Sequence, residues 1–178
     1  MGSIFIGGIY GVGKSTLCQG ISKKLDVSYY SAGDLISAIN GERYGANKVV
    51  ADKHSNQKKL KLQVERLLMN NQRILLAGHF CIFDENNNVD YLPEKVFDDL
   101  QIEGIILLEA EVFEIIENLQ ERDNKSYTQK EISTLQKAER ERAILVSGKL
   151  GVKLFLYKMS FDGTDVQNCL NYIQGVLI

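Results

Sequence analysis

Gly8-Ile9-Tyr10-Gly11-Val12-Gly13-Lys14-Ser15 is the stretch whose residue types and spacing speak most directly of chemistry. It fits the pattern G-x-x-x-x-G-K-[ST], in which each fixed position has a physical task. Glycines let the chain fold back so that successive N–H groups point at phosphate oxygens. Lys14 puts a point charge near the β and γ phosphates, and the Ser15 hydroxyl can ligate Mg2+. A helix starting at Lys14 adds the positive end of its dipole. The expected phosphate-binding set is Gly8, Tyr10, Gly11, Val12, Gly13, Lys14, Ser15 and Thr16. Lys14 carries the catalytic role, and the ligands are ATP, or a close relative, with Mg2+. Only the backbone of Tyr10 is needed, so its ring can cover the phosphates. The alternative, a glycine-rich turn with a surface lysine, fits less well. An apolar run precedes the motif and a helical pattern follows it, the context the chemistry requires.

The elements that must position this loop alternate between strand and helix. Ser3 to Ile9 is a short apolar run ending in glycines and reads as a buried strand. Lys14 to Leu25 is amphipathic, with Leu17, Ile21 and Leu25 at helical spacing. Further strands are expected at Val27–Ser31, Arg73–Ala77, Gly104–Leu108 and Val152–Lys158. Helices are expected at Asp34–Asn40 with Gly41 as the stop, Ala51–Asn71, Pro93–Leu100, Val112–Leu119, Glu131–Leu145 and Thr164–Val176. Asp84 to Asp90 is polar and reads as a loop. Residues 120 to 131 are polar between two helices, the composition of a mobile loop. Five short apolar strands interleaved with helices argue an α/β fold, a parallel sheet with helices on both faces.

The bulk properties narrow the class further. The 178 residues fit one domain, 1 to 178, with 44% hydrophobic and 25% charged residues. A net charge of -2 advertises no basic field, so nucleic acid is not the expected partner. Cys18, Cys81 and Cys169 are widely spaced and odd in number, which suggests buried thiols rather than disulfides or zinc. The apolar start runs straight into glycines, so no signal peptide is expected. No apolar run approaches the roughly 18 residues of a membrane span. A cytoplasmic protein follows by elimination.

The chain resembles the small P-loop kinases, in particular the nucleoside-monophosphate kinases and among them the archaeal-type adenylate kinases. The resemblance covers nearly the whole length. Beyond the phosphate loop it rests on Ala32-Gly33-Asp34-Leu35-Ile36, similar to a T-G-D-x-[LM] segment that opens the monophosphate site. Leu75-Leu76-Ala77-Gly78-His79-Phe80 is similar to the third-strand L-L-D-G-x segment, and its histidine to the V-D-T-H-A form of the archaeal branch. Tyr91-Leu92-Pro93, Ile106-Leu107-Leu108-Glu109-Ala110 and Glu131-Ile132 through Arg140 stand in the archaeal order and spacing.

That resemblance implies a three-layer α/β/α core with strand order 2-3-1-4-5 and a lid at about 120–131. It also implies a homo-oligomer, trimeric in the archaeal relatives. The reaction it implies moves the γ-phosphoryl of Mg-ATP to a nucleoside monophosphate, AMP first among acceptors. Arg122 and Arg140 match arginines of the archaeal pattern and are the expected catalytic cations; Arg142 is a further candidate. The alternative for all three is the solvated face of a charged helix, which Lys137-Ala138-Glu139-Arg140-Glu141-Arg142 resembles. Gly33, Asp34 and His79 are the expected acceptor contacts, with His79 otherwise a satisfied histidine at a strand end. His54, among Lys53, Lys58, Lys59 and Lys61, either brings charge to an anionic acceptor or sits on a solvated face.

Two departures from the pattern matter. Ala77 stands where the related kinases carry the Asp that orients the Mg2+ water shell. Asp34 is a candidate replacement acting through water, beside Ser15 as the direct metal ligand; its other reading is a helix N-cap. The lid is also poorer in arginine. Three readings stay open: a nucleotide kinase, a kinase for another small molecule or a nucleic-acid end, and a weakly catalytic ATP-binding regulatory module. All three need Lys14. Its replacement by Ala should abolish productive ATP handling in a folded protein, because a charge-assisted contact of this kind is worth on the order of 2–4 kcal/mol. Wild-type turnover in a variant with a normal thermal transition would show the opposite.

Overall fold

The computed structural model describes residues 2–40, 53–71, 73–123 and 126–177. Its elements in chain order are β1 (Gly2–Gly7), α1 (Lys14–Leu25), β2 (Ser28–Ser31), α2 (Ala32–Asn40), α3 (Lys53–Asn70), β3 (Arg73–Ala77) and β4 (Cys81–Phe83). There follow β5 (Val89–Tyr91), α4 (Glu94–Asp98), β6 (Ile102–Glu109), α5 (Val112–Asp123), α6 (Gln129–Leu150), β7 (Lys153–Lys158) and α7 (Asp165–Leu177). The expected stop at Gly41 and the start of a helix at Ala51 fall outside the described residues.

Five strands form one sheet in the order β2-β3-β1-β6-β7, every neighbouring pair parallel. Counted within the sheet alone this is the expected order 2-3-1-4-5. β1 lies at the centre and is buried along its whole length, which is why its sequence is an apolar run without polar alternation. Side chains alternate across the strand. Ile4 and Ile6 enter a core shared with Leu17 and Ile21 of α1, Ile115 and Leu119 of α5, and Cys169 and Ile173 of α7. Phe5 points the other way, into a core shared with Leu60 and Val64 of α3 and Phe97 of α4. There its ring meets Phe80 edge-on at 5.1 Å, and Phe80 stacks on Phe97 at 4.9 Å.

α6 is longer than its sequence pattern suggests and serves both cores. Ile132, Leu135 and Ala138 enter the first, Ala143 and Val146 the second. Its start at Gln129, ahead of the expected Glu131, comes from a capping box. The Thr128 side chain accepts from the Glu131 N–H, and the Glu131 carboxylate accepts from the Thr128 N–H at 2.8 Å. Its end at Leu150 is set by Gly151 in the left-handed region. α5 likewise runs on to Asp123. Much of the polar stretch 120–131 is therefore helix end rather than loop, while residues 124 and 125 lie outside the described residues.

Of the span expected to be a loop, 84–90, residues 84–88 form the turn of a hairpin and Val89 and Asp90 belong to its second strand, β4 and β5 pairing antiparallel from Cys81–Tyr91 to Phe83–Val89. Asp84 organises the turn: its carboxylate accepts from the N–H groups of Asn86 and Asn88, both at 2.8 Å. Asn87 takes the left-handed φ of 58° that asparagine tolerates. Pro93 caps α4 rather than lying within it, and α4 ends at Asp98, short of the expected Leu100.

Removing the α6 cap tests how far that helix depends on it. Thr128→Ala should cost about 1 kcal/mol, seen as a fall of roughly 2–4 °C in Tm. Calorimetry showing no fall would mean that tertiary packing alone holds the helix start.

Candidate active site

The turn between β1 and α1 has the left-handed dihedrals that its glycines permit: Gly11 at φ 76° and Gly13 at φ 91°, the latter standing at the N-terminus of α1. A side chain at Gly11 would also lie 2.8 Å from Leu119 and 2.9 Å from the Ile115 carbonyl. α5 thus packs directly against the loop, and its Asn118 side chain donates to the Gly11 carbonyl at 2.9 Å. The Lys14 ammonium reaches back across the turn to the carbonyls of Gly8 and Ile9, at 2.6 and 2.9 Å.

A cleft of about 740 Å3 opens over the loop. Tyr10, Gly11, Val12, Gly13, Lys14, Ser15 and Thr16 line it, and so do Gly33, Asp34, His79 and Arg122. The fold therefore gathers most of the expected site from the loop after β1, the start of α1, α2, the turn after β3 and α5. The Tyr10 ring lies 4.5 Å from that of His79 and forms part of the wall between the loop and the strand end. Ala77 lines the cleft from the end of β3, in register with Ile6 of β1. Of the carboxylates lining the cleft among the described residues, Asp165 is taken up by the Tyr157 hydroxyl and the N–H groups of Ser160 and Phe161. Asp34 is exposed in the first turn of α2, where the Ser31 hydroxyl, not Asp34, accepts the capping hydrogen bond. The reading of Asp34 as an N-cap is corrected by that bond. Ser15 sits beside the Tyr29 phenol, whose pKa is raised chiefly by burial.

Three expected residues lie elsewhere. Gly8 does not line the cleft; its C=O is held by Lys14 and its N–H by a carboxylate from α6. Arg140 does not line it either. Its guanidinium is paired with Glu109 at 2.8 Å on the surface, since Arg140 follows the inward-facing Glu139 and leaves the helix in another direction. Arg142 is no solvated charge: it donates to the Leu92 carbonyl at 2.9 Å and to Glu94, and lies over the Tyr91 ring. The side chain of His54 lies outside the described ones.

Glu139 is the buried acid behind the site that the sequence reading missed. It is buried, and its carboxylate accepts from the N–H groups of Gly8 at 3.0 Å, Phe80 at 2.9 Å and Cys81 at 2.7 Å, and from the Cys81 thiol at 3.2 Å. Burial pushes its carboxyl above the ordinary carboxylate range, opposed by the Phe80 N–H and by the nearby Lys14 charge. A signal was present: Ile132, Leu135, Glu139, Ala143 and Val146 follow helical spacing, so the acid stands within an apolar stripe. Asn118 and the loop carrying Met159 and Phe161, which line the cleft next to Gly13, were also missed. No periodic pattern marks such residues.

A family model described as an AAA domain matches residues 7–136. The chain belongs to that AAA domain family. The match ends before Glu139 and contains the whole phosphate loop. A cytidylate kinase of Sulfolobus acidocaldarius is 31% identical over 80 residues, 43% of this chain and 44% of that protein. The chain thus matches under half the length of this curated relative. Among solved structures, shikimate kinase from Bacteroides thetaiotaomicron superimposes with a TM-score of 0.62 at 14% identity, covering 98% of this chain and 97% of that one. Shikimate kinase from Acinetobacter baumannii gives 0.61 at 12% identity, covering 99% and 93%, and a gluconokinase from Sinorhizobium meliloti 1021 gives 0.58 at 12%, covering 98% and 92%. This AAA domain protein has the fold of P-loop kinases. Among its described residues no helix is long and apolar enough to cross a membrane.

The different placements of the two arginines give a measurable contrast. Arg122→Ala should weaken binding of the unreactive ATP analogue AMP-PNP by about tenfold, the loss of one charge-assisted contact. Arg140→Ala removes only an exposed pair with Glu109, worth under about 1 kcal/mol. Titration calorimetry giving equal losses would return Arg140 to the site.

Proposed function

We propose that the chain is a phosphotransferase that moves the γ-phosphoryl of Mg-ATP to a nucleoside monophosphate, with AMP the first candidate. The observation that carries this reading is the single cleft running from Lys14 and Ser15 to Asp34 and His79. Donor and acceptor can meet there in line, and catalysis is then mostly positioning and neutralisation of charge. The resemblance to archaeal-type adenylate kinases and the partial match to a cytidylate kinase support a nucleotide acceptor.

In this mechanism the loop's N–H groups orient the ATP phosphates, and the Lys14 ammonium leaves the Gly8 and Ile9 carbonyls for the β and γ oxygens. Arg122 supplies a second cation on the α5 side. An acceptor oxygen forms the new P–O bond as the bond to the β-phosphate oxygen breaks, and ADP leaves. The Ser15 hydroxyl fits a metal ligand and Asp34 a partner for metal-bound water, while Ala77 offers no oxygen. Mg2+ bound there would neutralise charge on the transferring group.

The structure also favours a second reading. Lys14 and Arg122 are the cations that line the cleft among the described residues, and neither Tyr29, Ser31, Gly33, Asp34, Gly78 nor His79 adds another at the acceptor end. An acceptor hydroxyl would need no cation there, and Asp34 could take its proton. The names of the shikimate kinase and gluconokinase neighbours fit such an acceptor. A location in the cytoplasm and a homo-oligomer belong to the proposal as well.

A screen of purified protein with Mg-ATP and a panel of monophosphates, shikimate and gluconate separates these readings. Diphosphate formed from AMP supports the first; transfer only to a hydroxyl supports the second; tight ATP binding without transfer to any acceptor sinks both. With the correct acceptor, turnover should be slow, below the roughly 1–100 s⁻¹ usual for kinases. Ala77→Asp should raise it, and should partly rescue a nearly inactive Asp34→Ala variant. Fast wild-type turnover indifferent to Asp34 would overturn this account of the metal site.

A further inference from the structure

Glu139 sits between the two ends of the proposed reaction without lining the cleft. Its carboxylate holds the N–H of Gly8, where β1 enters the phosphate loop, that of Phe80, in the turn that follows β3 and carries His79, and that of Cys81, which opens β4. The Gly8 residue is gripped from two directions, its N–H by Glu139 and its C=O by the Lys14 ammonium. A carboxylate suits this place because it is an acceptor only, with enough lone pairs for all the donors that converge on it. Glutamine would turn an NH2 group against at least one backbone N–H.

We infer that Glu139 is a positioning residue that couples the phosphate loop to the acceptor-side turn, so that nucleotide binding at Lys14 tightens the backbone around His79. The inference rests on the cleft serving both substrates, as proposed above. A phosphate that draws Lys14 off the Gly8 carbonyl changes the hold on Gly8. Because Gly8, Phe80 and Cys81 share one carboxylate, the change is passed to the turn after β3. α6 supplies this carboxylate, and near the start of the same helix Asn87 of the β4–β5 turn donates to Glu131.

The test uses the full chain and AMP-PNP with Mg2+. In the wild type, hydrogen exchange at the amides of Gly8, Phe80 and Cys81 should slow together, by about tenfold or more, when AMP-PNP binds. Slowing at Gly8 alone would overturn the inference, and this readout needs no variant. Glu139→Gln should raise the Kd for AMP-PNP by about tenfold to a hundredfold and abolish the response at Phe80 and Cys81. Gln136→Leu is the control. Gln136 ties the same helix to Ala110 through two hydrogen bonds of 3.1 Å and lies outside the cleft. Its loss should lower Tm yet leave the Kd and the exchange response unchanged. Equal effects of the two variants on Tm, Kd and exchange would show that Glu139 is merely structural. Both readouts report binding in the phosphate loop, so failure to find any acceptor would count against the kinase reading and not against this coupling.

Discussion

A carboxylate buried in the interior constrains much of this structure. Glu139 is 1% exposed, and an isolated ionised carboxylate in such a place costs several kcal/mol. It is tolerable only if donors converge on it, and the backbone provides them: Gly8, Phe80 and Cys81 turn their N–H groups inward, joined by the Cys81 thiol. Satisfying that single group requires α6 to cross the C-terminal end of the sheet at one height. It also requires the turns after β1 and β3 to lie side by side. The cleft forms where those turns meet. Lys14, close enough to ease the ionisation, links the buried acid to the phosphate site.

For the proposed reaction the cleft must balance cations that would attract phosphate against carboxylates that would place a metal. Lys14, at the start of α1, and Arg122, near the end of α5, are the cations lining it among the described residues. The supply of carboxylates is thin. Asp165 is spent on holding the turn before α7, and Ala77 ends its strand without a side-chain oxygen, which leaves Asp34 of α2 as the other carboxylate lining the cleft among the described residues. Mg2+ keeps several waters and needs few protein ligands, so in the proposed reaction such a site would bind the ion while placing it loosely.

The same site draws its walls from elements with no chemistry of their own. The β4–β5 hairpin puts Ile82 and Phe83 into the cleft, and Phe83 stacks on Tyr127 ahead of α6 at 6.0 Å. Asn118 and Leu119 press α5 onto Gly11. Gly13 has Met159 and Phe161 within reach, so the loop before α7 closes the other flank. A phosphate loop is thus held from three directions before any ligand arrives, which lowers the ordering cost of binding.

The fold was largely legible in the chain because its signals are local. Short apolar runs such as Ile74-Leu75-Leu76, interleaved with helical patterns, suit buried parallel strands, and the glycines and Lys14 of the loop declare their dihedrals and charge without reference to distant residues. The hairpin was not legible, because Asp84 to Asn88 is polar throughout, its strands are only three residues long, and its turn is organised by Asp84. Arg140 and Glu139 were misjudged for one reason. In a run of alternating charges, composition cannot say which side chain faces inward, and only the seating of α6 against the turns after β1 and β3 decides it. The sequence by itself therefore determined the sheet, the loop and the class of ligand. The tertiary structure decided which charges line the cleft, because facing is a property of packed helices and burial of an acid requires donors from segments far apart in the chain.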